Sequence, residues 1–139
     1  MLDEGASLLQ KNATNKKLKL IGMAKTVKFL AAIDIFFSLY YCFTMHWTCF
    51  LLSFLSWCGY YGSKKYNKKY ILGYILCIII YSIVKCVLIF YSNSIGAGIF
   101  NTISFVMELY LLYIVSKFYI VMNKTDMSTL VELREGWEP

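Results

Sequence analysis

The sequence predicts an all-α fold, an integral membrane four-helix bundle made of two helical hairpins. Three observations lead there. The chain has 139 residues, 59% hydrophobic and 16% charged, against about 45–50% and about 25% in soluble domains. Its apolar residues gather in four runs that are apolar nearly all round, whereas a soluble helix keeps one apolar stripe and one polar face. A single proline lets long helices run unbroken.

Residues 1–26 form a polar, basic N-terminal segment. Residues 11 to 28 hold six lysines and no acid; Lys16, Lys17, Lys19 and Lys25 belong to the segment and Lys28 opens the first apolar run. That run, residues 27–45, has 19 residues, close to the about 20 needed to span hydrocarbon. It carries Asp34, and His46 and Trp47 end it. No secretory signal precedes it, so the first span is expected to act as an uncleaved signal. The second run, 48–62, is centred on LLSFLSWCGYYG and is the shortest. The third, 70–91, is broken only by Lys85 and small polar groups. The fourth, 97–122, contains Asn101, Glu108 and Lys117, and its length allows tilt. Residues 123–139 form a polar tail. Within it, Thr129 and Glu132 have the T-x-x-E spacing of a helix N-terminal box, so STLVELREGW reads either as a short amphipathic helix or as a frayed tail.

Orientation follows from the lysines. Lys/Arg-rich short segments stay on the cytoplasmic side. The N-terminal segment and Lys64, Lys65, Lys68 and Lys69 mark that side, while the loops around His46-Trp47 and residues 92–96 carry no Lys or Arg. Four spans then place both termini and the 63–69 loop in the cytoplasm. Asn12 and Asn123, which match the glycosylation pattern, stay unmodified there. The lysines face anionic lipid. Trp57, Tyr60 and Tyr61 form an interfacial aromatic belt, and the nucleic-acid reading of this basic-aromatic stretch is set aside. Gly59 and Gly62 allow close helix approach.

The charges inside the runs are the most informative residues. An ionised group near the bilayer centre costs about 2.5–3.5 kcal/mol on insertion scales, so it faces the bundle and finds a partner. Lys85 lies 15 residues past Tyr70, about 23 Å along its helix. Glu108 lies 14 residues before Met122, about 21 Å from the same side. They are expected to pair. Asp34 and Lys117, each about 8–10 Å deep, form a second expected pair. Lys117 also has the reach to snorkel to headgroups, which would leave Asp34 protonated or hydrogen-bonded by another helix. Polar stripes accompany these groups: Ser38 and Tyr41 with Asp34, Ser82 with Lys85, and Asn101 and Ser104 with Glu108. They read as polar glue between helices or as a path for protons or a small solute.

No enzyme constellation is present. There is no G-x-S-x-G, no Gly-rich phosphate loop and one histidine. The five cysteines, Cys42, Cys49, Cys58, Cys77 and Cys86, lie in apolar runs without a C-x-x-C and read as apolar filler; Cys58 also suits a palmitoyl chain. Neither catalysis, cofactor nor metal is expected.

The stretch IDIFFSLYY with Asp34, and WCGYYGSKKYNKKY at the cytoplasmic turn, give residues 27–122 a layout that resembles small four-span membrane proteins of protists and large DNA viruses. The resemblance implies an integral component of a larger assembly, such as a virion membrane or an organellar complex. The expected function is therefore a non-enzymatic structural or assembly subunit, oligomeric or hetero-complexed, with its tails on partner proteins. The alternative is a small transporter or channel whose path is lined by Asp34, Lys85 and Glu108.

Overall fold

The computed structural model describes the backbone of residues 2–44 and 49–136, with side chains for all of these except 2, 41–44 and 49–53. The His46-Trp47 turn lies outside the described residues, as do the side chains of Tyr41, Cys42 and Cys49. The described chain is all-α, with five helices and no strand: α1 Leu2–Thr44, α2 Cys49–Lys65, α3 Lys68–Tyr91, α4 Ile95–Asn123 and α5 Met127–Arg134. Four of them close a ring in which α1 packs on α2, α2 on α3, α3 on α4, and α4 back on α1. The α1–α4 seam is the loosest of the four.

No helix end falls at Val27, where the first apolar run begins. α1 is one helix of 43 residues, about 65 Å long. Its first half contains good helix formers such as Lys, Leu, Met and Ala and no proline, so nothing stops the helix. Leu20, Ala24, Val27 and Ala31 are all buried. They sit at i, i+4, i+7 and i+11, one stripe of a helix, so the core continues past the expected membrane edge.

The 63–69 loop is also shorter than its lysines suggest. Lys64 and Lys65 close the last turn of α2, where the helix dipole favours cations, and Lys68 and Lys69 open α3. Only Tyr66 and Asn67 link the helices. The Asn67 N–H donates to the Gly62 carbonyl at 3.0 Å, and the Asn67 side chain caps α3 by accepting from the Lys69 N–H at 3.1 Å. Tyr66 adopts a left-handed φ of 50°, unusual for a residue with a Cβ. Its ring is buried against Phe118, centroids 6.5 Å apart, which offsets the local strain. Burial also holds its hydroxyl above the usual tyrosine pKa range.

α2 and α3 approach closely at two glycines. A Cβ on Gly59 would overlap the Tyr74 ring, and one on Gly62 would lie 2.9 Å from Tyr70 Cβ. α4 begins at Ser94, whose hydroxyl accepts from the Ala97 N–H at 3.2 Å.

The C-terminal tail forms a helix, but not with the expected box. Asp126 is the N-cap of α5, which puts Thr129 inside the first turn. Glu132 instead binds Lys17 of α1 at 2.7 Å. Arg134 Nε donates to the Lys65 carbonyl at 2.7 Å, capping the end of α2. Leu130 and Leu133 are buried in the same core as Leu20, Tyr66 and Met122. The inner face of α5 therefore docks on its own bundle.

Two helices, α3 and α4, are long and apolar enough to cross a membrane; α1 and α2 do not meet that measure over the described residues. Only 33% and 28% of the apolar windows of α3 and α4 are buried, so most of their apolar surface faces outward. Phe90 and Ile103 stand on those outer faces.

Candidate functional site

A few polar side chains meet inside the ring, within a largely apolar interior. Lys85 on α3 meets Glu108 on α4, Nζ to Oε1 2.7 Å, with both side chains nearly excluded from solvent. Lys85 also donates to the Ser104 hydroxyl at 2.8 Å and lies 5.8 Å from the centroid of the Tyr81 ring. Position along the helices explains the meeting: both residues stand in the halves of adjacent antiparallel helices nearest the α3–α4 turn, and Ser104 and Glu108 are four apart on one face.

Asp34 does not pair with Lys117. Its Oδ2 accepts from the Ser56 hydroxyl of α2 at 2.9 Å and from the Tyr74 hydroxyl of α3 at 3.0 Å. Ser56 and Tyr74 are fully buried. Lys117 stands on the exposed face of α4 over the Tyr113 ring, 5.8 Å from its centroid. The helical period accounts for this. Lys117 is nine residues from Glu108, about half a turn round the helix, so it points away from the interior that Glu108 faces. Lys28, half-buried, lies over the Tyr60 ring of α2 at 5.5 Å from its centroid.

The remaining stripe residues divide. Ser38 shares a hydrogen bond of 3.3 Å with Tyr81, linking α1 to α3. Ser82 turns back to the Ile78 carbonyl of its own helix at 2.9 Å. Asn101 is buried on α4. Among the orientation lysines, Lys17 is tied to Glu132. Cys77 is buried, while Cys58 and Cys86 are half-buried.

Sequence reasoning missed Ser56, Tyr74 and Tyr81. The signal available was donor supply. A carboxylate inside an apolar run needs hydrogen-bond donors, and the hydroxyls of Ser and Tyr are the main donors such runs contain.

Asp34, Lys85 and Glu108 all border one cavity of about 130 Å³ at the α1–α4 seam, walled by apolar groups including Ile33, Phe37, Phe100 and Ile103. One acceptor there is unused: Glu108 Oε2 is buried without a hydrogen-bond partner. No group of three or more His, Cys, Asp or Glu positioned to hold a metal lies among the described residues.

No protein-family model matches the chain, and no match emerges among curated proteins or solved structures.

Proposed function

We propose that the chain is a four-span integral membrane protein acting as a non-enzymatic structural or assembly subunit of a larger membrane complex. The observation that carries this reading is a broad outward apolar surface together with polar bonds between helices inside. Large apolar side chains such as Phe36, Phe54, Ile83 and Tyr110 face outward, while Asp34–Ser56–Tyr74 and Lys85–Glu108–Ser104 join the helices from within. Interhelical polar bonds of this kind hold membrane bundles together, where lipid tails remove the hydrophobic drive. Both termini and the α2–α3 turn belong on the cytoplasmic face. Contacts of Glu132 with Lys17 and of Arg134 with Lys65 support their common end. Free lysines there add about 1 kcal/mol each of attraction to anionic lipid. Partner proteins would then meet the outward residues of α5 and the N-terminal half of α1. The layout-level resemblance to small four-span proteins of protists and large DNA viruses points the same way, toward a virion or organellar membrane assembly.

Two experiments test the reading. Acceptor sites engineered into residues 92–96 are expected to be glycosylated in the secretory pathway, and native Asn12 is not; modification of Asn12 inverts the topology. Purification in mild detergent is expected to retain a stoichiometric partner or a defined oligomer.

A second reading, a small transporter or channel, is favoured by the cavity bordered by Asp34, Lys85 and Glu108. Proteoliposome flux separates the two. Flux in the wild type that Glu108→Gln abolishes overturns the structural reading, and absence of flux in both overturns the transporter.

A further inference from the structure

The cavity at the α1–α4 seam carries more than a path. Three features of it converge on one ligand class. The first is an unspent acceptor. Glu108 Oε1 takes the Lys85 ammonium, but Oε2 is buried with no donor, and a bare buried carboxylate oxygen is costly. The second is the balance of polar groups. Two carboxyl groups, Asp34 and Glu108, stand at the cavity border with one ammonium, Lys85. The third is shape and lining. The volume is about 130 Å³, close to the about 150 Å³ of an apolar cavity that admits benzene. Phe37, Phe100 and Tyr110 contribute aromatic rings to the border, and ring faces attract cations.

We propose that this cavity is a binding site for an amphiphilic monocation, a protonated amine attached to a ring-sized apolar body. The ammonium donates to Glu108 Oε2. The apolar body occupies the space between Ile33, Phe37, Phe100 and Ile103. Any tail leaves through the loose α1–α4 seam toward the surrounding lipid. A neutral hydroxyl would fill the acceptor but gain less from the Phe37, Phe100 and Tyr110 rings, whose faces attract cations, so the amine is the better match. Binding of this kind requires no transport. It rests on the bundle being membrane-embedded, which glycosylation mapping reads independently.

The test uses the full chain in nanodiscs of zwitterionic phosphatidylcholine, so that anionic lipid does not concentrate the probe. Equilibrium dialysis at pH 7 compares 4-hexylbenzylamine with 4-hexylbenzyl alcohol, against empty discs. The amine is expected to bind saturably at one site per chain, at least tenfold more tightly than the alcohol. Glu108→Gln is expected to weaken the amine at least tenfold. Because that variant strands Lys85, a second variant guards against misfolding. Ile103 is 57% exposed at the cavity edge, so Ile103→Trp closes the cavity without disturbing the core. It is expected to abolish binding with circular dichroism and melting midpoint unchanged. Equal affinity for amine and alcohol overturns the cation site. Amine uptake no greater than in empty discs, or unchanged in a folded Ile103→Trp, overturns the site itself.

Discussion

Removing the ammonium of Lys85 should cost far more than removing the whole ion pair. At 2.7 Å the gross attraction is about 6 kcal/mol at an effective dielectric near 20. Desolvation of both ions consumes most of that gain, so the intact pair is worth little in net stability. Breaking it is different. Lys85→Met takes away the bonds to Glu108 Oε1 and Ser104, and Glu108, 5% exposed, is left with neither oxygen paired. The expected loss is about 3–5 kcal/mol. In Lys85→Met/Glu108→Leu both charges are gone and apolar groups of similar size remain, so stability should return to within about 1 kcal/mol of wild type. Glu108→Leu alone leaves the buried Lys85 unpaired and should cost a similar amount, so the implied coupling is at least about 5 kcal/mol, well above the about 0.6 kcal/mol average of interhelical hydrogen bonds in bilayers. Reversible unfolding in mixed micelles of mild and denaturing detergent, followed by circular dichroism, measures all four corners of the cycle. A coupling below about 1 kcal/mol would refute the claim that Glu108 depends on Lys85.

Three further predictions follow from the packing. Gly59→Ala pushes a methyl into the Tyr74 ring and should destabilise by about 1–3 kcal/mol, whereas Gly22→Ala meets open space and should stabilise by up to about 1 kcal/mol; equal shifts in the same unfolding assay would contradict the close approach of α2 and α3. Arg134→Met removes the cap on the Lys65 carbonyl, so amides of α5 should exchange hydrogen about fivefold faster, as loss of about 1 kcal/mol implies; unchanged exchange would show that Leu130 and Leu133 alone hold α5. The raised pKa of Tyr66 means its native site favours the neutral phenol, so its stabilising contribution is complete below the ordinary tyrosine range and is lost as pH rises through the raised value. Tyr66→Phe should therefore lose less stability than wild type between neutral and alkaline pH, and an identical alkaline loss in both would remove Tyr66 from that account.

The all-α class was legible because apolar runs without proline leave few alternatives. The meeting of Lys85 with Glu108 was legible too, since helical rise converts residue counts into depth. Azimuth was harder. Asp34 and Lys117 share a depth, but a helix places residues nine apart on opposite sides, and depth alone does not show which neighbour a side chain faces. The hydroxyls that serve Asp34 come from α2 and α3, and each looked like ordinary span content. The extension of α1 through residues 2–26 and the docking of α5 were hidden for another reason. Both depend on contacts far apart in sequence, such as Lys17 with Glu132, that no local pattern announces. Tyr66 is the clearest case: its left-handed turn buries the ring against Phe118, on another helix.

The continuity of α1 has a mechanical consequence. From Leu20 onward the helix is gripped by the core, while residues 3–13 are exposed throughout. Lys17 is tied to α5, and the exposed part before it projects as a rod of about 16 Å with no joint at its base. Leu8 and Leu9 near its tip are 61% and 72% exposed. A tilt of about 10° where α1 leans on α4 would swing that tip by about 3 Å over the rod length. A load on the rod's end is thus delivered as torque to the loosest seam of the bundle, and a widening of that seam is broadcast outward as a displacement of the tip.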